Sequence, residues 1–335
     1  MRAMAIRAYG PPEVLQLETF PDPQPGPGQV RVRVRAAGVQ PVDCAVREGA
    51  FRNGAPFQIR FPQILGNEFA GVIDRVGQGV HDWVPGDEVI GFETLASYAE
   101  LVVVSSGQIV ARPPRMSWAE AGALSGSGQT AHTVLEDLDV GAGETILIHA
   151  AAGGVGTVAV QLARARGATV VGTASEANHD YLRRLGAIPT TYGAGLTGRV
   201  RALAPQGVNA AFDAAGRGAL HASVELVADR DRIATIVDFA LADELGVRAV
   251  RSRRSAERLG ELAEMYARGA LRIHVRRSFP LHEAAAAHRE MERGHGRGKV
   301  VLTVGDVRVG HRPLPHDGAQ AEPRADARTS RGRSA

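Results

Sequence analysis

The chain has a single cysteine, Cys44, in 335 residues. No intrachain disulfide can form, and neither a four-cysteine structural zinc site nor a cysteine-held iron–sulfur cluster can be built. Any metal would have to rely on His, Asp and Glu. Lysine is equally scarce, because only Lys299 among the 39 basic residues is a lysine. That excludes a Walker-type phosphate loop, whose leading glycine is missing here, and a Tyr-x-x-x-Lys catalytic pair, since position 295 is His. No run approaches the roughly 18 apolar residues of a membrane span. Residues 1–10 lack a signal-peptide core, so the expectation is a cytoplasmic protein with no membrane partner.

What is present is ordinary in bulk. A 44% apolar and 22% charged composition is that of a soluble globular protein, and 335 residues give room for two domains at about 150 residues each. The net charge of +3 is mostly terminal, because residues 305–335 carry six Arg against four acids. That stretch is rich in Pro, Arg, Ala, Asp and Gly without an apolar period, and it reads as a disordered tail. An RNA-binding arm is the sharper alternative. Its interspersed acids and lack of aromatics argue against a nucleic-acid partner.

The first third predicts β-structure. Val30, Val32 and Val34 alternate with Arg31, Arg33 and Arg35, as in a strand with one buried and one wet face. Short apolar runs follow at 71–76, 88–92 and 98–104, separated by turn signals such as Pro85-Gly86-Asp87, which predicts an antiparallel or barrel-like unit. From about Ala119 strands alternate with helical periods. Strands are expected at 145–149, 169–173, 208–213 and 232–237, with helices carrying Val155 to Ala163 and spanning 178–185, which specifies a parallel, right-handed α/β sheet. A helix at 255–268, an apolar run at 271–275, a helix at 281–292 and a closing strand at 299–304 complete the chain.

The most informative turn is Ala150-Ala151-Ala152-Gly153-Gly154-Val155-Gly156. Read as G-x-G-x-x-G, it has Ala151 for the first glycine and Gly153 and Gly156 for the others. Such a turn lets backbone N–H groups approach a pyrophosphate at a helix N-terminus. A strand before it and a helix after it point to dinucleotide binding rather than to a plain glycine-rich turn. The next strand ends at Thr173 and Ala174 with no carboxylate where NAD enzymes place one for the ribose. A 2′-phosphate could be held by Ser175, Asn178 or His179, helped by Arg183 or Arg184, so NADPH is favoured. Glu176 is the argument for NADH.

Several segments in order resemble the medium-chain dehydrogenase/reductase superfamily: 62–73 (PQILGNEFAGVI), 84–89 (VPGDEV), 97–100 (SYAE), the glycine turn and 298–302 (GKVVL). The resemblance covers about residues 1–304 and points to the zinc-free quinone oxidoreductase branch. It implies a doubly wound, Rossmann-type parallel sheet plus a β-rich GroES-like catalytic domain. The expected layout is catalytic domain 1–120, nucleotide domain 121–270, a return to the catalytic domain over 271–304 and the tail 305–335. Where zinc alcohol dehydrogenases carry Gly-x-Cys-x-x-Asp and Gly-His-Glu, this chain has Gly38-Val39-Gln40-Pro41-Val42-Asp43 and Gly66-Asn67-Glu68. Neutral amides are poor zinc ligands, so no zinc is expected.

The resemblance then implies NADPH-dependent, zinc-independent reduction of quinones or α,β-unsaturated carbonyls, with a small electrophilic substrate and a homodimeric assembly. An enoyl reductase of secondary metabolism and a non-catalytic NADPH-binding redox sensor are the alternatives. Gln40, Asn67 and Thr130 are the candidate hydrogen-bond donors to the acceptor, although either amide could simply fix a turn. Ala45 stands where several relatives have Tyr, which removes a proton donor and leaves water as the source. Tyr192 follows the third strand of the nucleotide unit and could flank the adenosine or be an ordinary surface tyrosine. Asp213, with Gly216, is expected to shape the cofactor crevice. Cys44 is read as an inert, half-buried thiol. His282, Glu283 and His288 are read as solvated helix residues, six positions separating the two histidines onto different faces.

Overall fold

The computed structural model describes residues 1–54, 56–294 and 296–305; the expected tail, apart from Gly305, lies outside the described residues. Two large sheets organise the chain. The first is antiparallel through the order Lys299–Thr303, Gln29–Val39, Glu68–Val76, Glu88–Phe92 and Ile109–Ala111. Val275–Pro280 joins it in parallel beside Lys299–Thr303, and Leu101–Ser105 also pairs with Gln29–Val39. A small sheet of Gln16–Thr19, Arg2–Ile6 and Gln63–Ile64 stands apart from it.

The second sheet is parallel throughout. Its strand order is Ile188–Thr190, Thr169–Thr173, Thr145–His149, Ala210–Asp213, Ile233–Thr235 and Arg248–Ala249. The order turns back at Thr145–His149, the topology of a doubly wound nucleotide fold. Both faces are covered, as the near-continuous apolar strands require. Ile146 and Ile148 point into one core with Val158 and Leu162 of the helix Gly154–Ala165, whereas Leu147, Val171 and Ala211 point into another with Leu196 and Val200.

Four local expectations change. Arg31 is not on a wet face: it is buried against Asp74, with Nε and Nη2 each 2.9 Å from a carboxylate oxygen, while Arg33 stays exposed. The run at 98–104 forms a strand only over Leu101–Ser105, because Tyr98 turns inward to bond buried side chains. The run at 271–275 gives way to a strand at Val275–Pro280. His288, read as solvated, is fully buried in the helix Ala284–Glu292, while His282 remains exposed.

The closing strand ties the two sheets together at the glycine turn. Gly298 N donates to Ala152 O at 2.9 Å, and Gly153 and Gly298 form an isolated parallel bridge. Lys299 thereby comes to lie beneath the start of the helix Gly154–Ala165.

Candidate active site

The turn after the strand Thr145–His149 is shaped for close approach. Ala151 N donates to Thr173 O and Ala150 N to Thr173 Oγ1, fastening the turn to the neighbouring strand tip. Ala150 takes a left-handed φ of 52°, and Gly153 caps the helix. A Cβ at Gly156 would stand 2.2 Å from Ala150 O, so only glycine lets the helix start this near the turn. The first-turn N–H groups of a helix have no intrahelical partner and suit a phosphate.

A cleft of about 1460 Å³ opens over this turn. Gly153, Gly154, Val155, Gly156, Thr173, Ala174, Ser175, Asn178 and Tyr192 line it, and so do Gln40, Asn67 and Thr130. Three of the expected cofactor residues do not line it. Ala151 and Asp213 are fully buried, and His179, which opens the helix His179–Arg184, is not part of the wall. Asp213 spends its carboxylate on the N–H groups of Ala215 and Gly216 and on the Thr235 hydroxyl, which shapes the loop after the strand Ala210–Asp213. Arg183 is held by exposed Asp180, and neither it nor Arg184 faces the cleft. Arg297 reaches the strand tip instead, donating from Nε to Asn178 Oδ1 at 3.0 Å. Glu176 is exposed and forms no part of the wall.

At the other end of the cleft two carboxylates organise the amides. Asp43, in the first turn of the helix Pro41–Glu48, is fully buried. It accepts from Gln40 N at 2.9 Å, Asn67 Nδ2 at 2.7 Å and the Tyr98 hydroxyl at 3.0 Å. Burial pushes its pKa up to about 6 despite these donors. Behind Tyr98 stands His288, with Nε2 3.3 Å from the Tyr98 hydroxyl and Nδ1 3.5 Å from Arg47. Burial, then the Arg47 charge, push His288 down to about 3.

Glu68, also fully buried, accepts from Lys299 Nζ at 2.7 Å, Gln40 Nε2 at 2.9 Å and Gly126 N at 2.6 Å. Glycines make the room: a Cβ at Gly38 would stand 2.1 Å from Glu68 Oε1, and one at Gly126 2.0 Å from Gln40 Nε2.

An NH₂ group carries two hydrogens, so Gln40 and Asn67 each keep one N–H after serving a carboxylate. Thr130 differs from expectation, because its hydroxyl donates to Gly126 O at 2.6 Å and leaves only lone pairs. The wall beside the amides is apolar, with Val42, Ala45, Phe51, Phe57 and Met291. Cys44 is buried rather than half-buried, and burial raises its pKa, so its thiol stays protonated.

A zinc ion does not fit this donor set. The two positions hold amides committed to carboxylates, and an ammonium already occupies Glu68. Among the described residues no group of three His, Cys, Asp or Glu is placed to hold a metal. Sequence reading missed Asp43, Glu68 and Lys299 as site residues. The one lysine of the chain and the acid after Asn67 were the available signals.

Comparisons with known proteins agree with this architecture. Residues 26–114 match the family described as "Alcohol dehydrogenase GroES-like domain", and residues 192–302 match "Zinc-binding dehydrogenase". A quinone oxidoreductase of Pseudomonas aeruginosa is 32% identical over 321 residues, covering 88% of this chain and 97% of that protein. The spectinabilin polyketide synthase system protein NorB of Streptomyces orinoci is 35% identical over 258 residues, covering 72% of this chain. This chain spans only 12% of that synthase's length. Among solved structures, Escherichia coli quinone oxidoreductase complexed with NADPH has a TM-score of 0.80 at 25% identity, covering 90% of this chain and 100% of that one. CurK enoyl reductase has a TM-score of 0.82 at 26% identity, covering 91% and 99%.

Proposed function

The chain belongs to the medium-chain dehydrogenase/reductase superfamily, in its quinone oxidoreductase branch, and on that footing we propose that it is an NADPH-dependent, zinc-independent reductase of quinones or α,β-unsaturated carbonyls. The observation that carries this reading is the single cleft shared by the glycine turn and the two spare amide N–H groups.

Gly153 to Gly156 would hold the pyrophosphate, and Ser175, Asn178 and Tyr192 the adenosine end. Ala174 offers no charge to repel a 2′-phosphate, and Arg297 reinforces Asn178. When bound, NADPH supplies the hydride, which is the hard part of the chemistry. The protein's share is placement and charge. Gln40 and Asn67 donate to the acceptor oxygen as it becomes more negative, and the apolar wall keeps water from competing for it. No hydroxyl stands at Ala45, so water provides the proton that completes the product. Gln40 and Asn67 do here what a Lewis acid does elsewhere, because a conjugated acceptor needs only hydrogen bonds.

Enoyl thioesters are a second acceptor class, favoured by the likeness to CurK enoyl reductase and to a polyketide synthase segment. The family resemblance also carries the expectation of a cytoplasmic homodimer. Steady-state NADPH oxidation with a panel of quinones, enones and enoyl thioesters tests the reading. Turnover of at least one class supports it. Tight NADPH binding with no turnover on any acceptor would make the protein a sensor instead.

A further inference from the structure

We propose that Lys299 and Glu68 act as a positioning pair that dictates which end of the Gln40 amide faces the acceptor. This deepens the reading above, since it rests on Gln40 as a donor to the acceptor oxygen. Three distant segments meet at the Glu68 carboxylate: the closing strand through Lys299, the helix cap through Gln40, and the helix Leu124–Asp137 through Gly126 N. Lys299 and Glu68 have side chains 6% and 0% exposed. A buried ion pair is seldom better for stability than packed hydrophobic side chains, so stability alone does not account for it.

Orientation does. The two ends of a primary amide have nearly the same shape, and sterics alone cannot choose between them. A carboxylate can, because it attracts Nε2 and repels Oε1. The Lys299 ammonium, 2.7 Å away, pairs with the Glu68 carboxylate and fixes its place against Gln40. Without Lys299 the buried carboxylate loses its bonded cation and the contact that fixes its oxygens. Gln40 Nε2 then has no fixed acceptor, and its second N–H loses its set orientation. The charges facing Glu68 from the surrounding elements are Lys299, Asp43 and Arg254, the last donating to Asn67 O at 3.0 Å. Of these only Lys299 bonds Glu68. The same lysine packs under the glycine turn, its Cδ 2.9 Å from where a Gly154 Cβ would stand, so one residue abuts both ends of the cleft.

The test uses the full chain with Lys299→Met, Lys299→Arg, Glu68→Gln, Gln40→Ala and the double variant Gln40→Ala/Lys299→Met. The Gln40 side-chain amide resonances, identified by their loss in Gln40→Ala, report orientation without any turnover. They should shift in Lys299→Met and stay near wild type in Lys299→Arg. With an enone as acceptor, Lys299→Met should lower kcat about tenfold or more while the NADPH Kd moves less than about twofold. In the Gln40→Ala background the same change should add little, since the pair acts only through that amide. Unmoved amide resonances in Lys299→Met, or multiplicative losses in the double variant, would overturn the proposal. If Lys299→Met does not fold, Glu68→Gln takes its place in the same measurements. A wild-type protein that reduces no acceptor contradicts the functional reading instead, and the resonances still decide the orientation.

Discussion

Ala174 sits at the tip of the strand Thr169–Thr173, where a carboxylate would bond a ribose and repel a 2′-phosphate. Ala174→Asp should therefore cut the preference for NADPH over NADH by about tenfold or more, read as the ratio of kcat/KM values. An unchanged ratio would count against the strand-tip argument. His288 allows a second prediction at this scale. It is neutral in the fold with its pKa at about 3, whereas the unfolded chain takes up the proton below about 6.5. Stability is therefore lost as pH falls from 6.5 toward 3. His149, lowered to about 4 by burial, acts in the same direction. Asp43 acts oppositely: its raised pKa stabilises the fold as pH falls through 6 toward 3.8. His288→Gln should remove about 2 kcal/mol of the stability lost between roughly pH 7 and 5, measured by urea denaturation at both pH values. An equal loss in wild type and variant would refute this. The residues that contact ligand in the proposed reading were legible, because glycines and amides stand in short motifs. Asp43, Glu68 and Lys299 were not recognised as a site, because the side chains they bond lie tens to hundreds of positions away.

Strands that are buried on both faces announced themselves at the scale of the element. Thr145–His149 and Thr169–Thr173 have the expected bounds, since a parallel strand between two helix layers must be a continuous apolar run. Val275–Pro280 was hidden because Arg276 and Arg277 occupy it, and their charges are answered by Glu290 from the following helix. Alternation in Gln29–Val39 gave the strand but misjudged Arg31, whose two-pronged bond to Asp74 lets the guanidinium lie 5% exposed on that surface. Asp74→Ala would leave that buried charge without its carboxylate and with the Pro23 carbonyl as its remaining acceptor. It should destabilise the protein by about 3 kcal/mol in chemical denaturation. A loss below about 0.5 kcal/mol would show that Arg31 finds water or another partner.

At the scale of the molecule, the scarcity of cysteine and lysine is where fold and chemistry meet. The chain lacks the thiolates of a zinc site, and at one of the two corresponding positions it holds Gln40, bonded to a glutamate that also bonds its one lysine. The closing strand that carries Lys299 also bonds the glycine turn, so the end of the described fold completes both halves of the cleft. Motif order made this arrangement legible in outline, whereas the convergence on Glu68 needed three dimensions. The most direct test is reduction of an enone by chelator-treated protein with NADPH deuterated at the transferred position of the nicotinamide C4, followed by mass spectrometry and NMR of the product. The account predicts one deuterium at the β-carbon and a rate unaffected by the chelator. A product without deuterium, or activity lost to the chelator and restored by zinc, would contradict it.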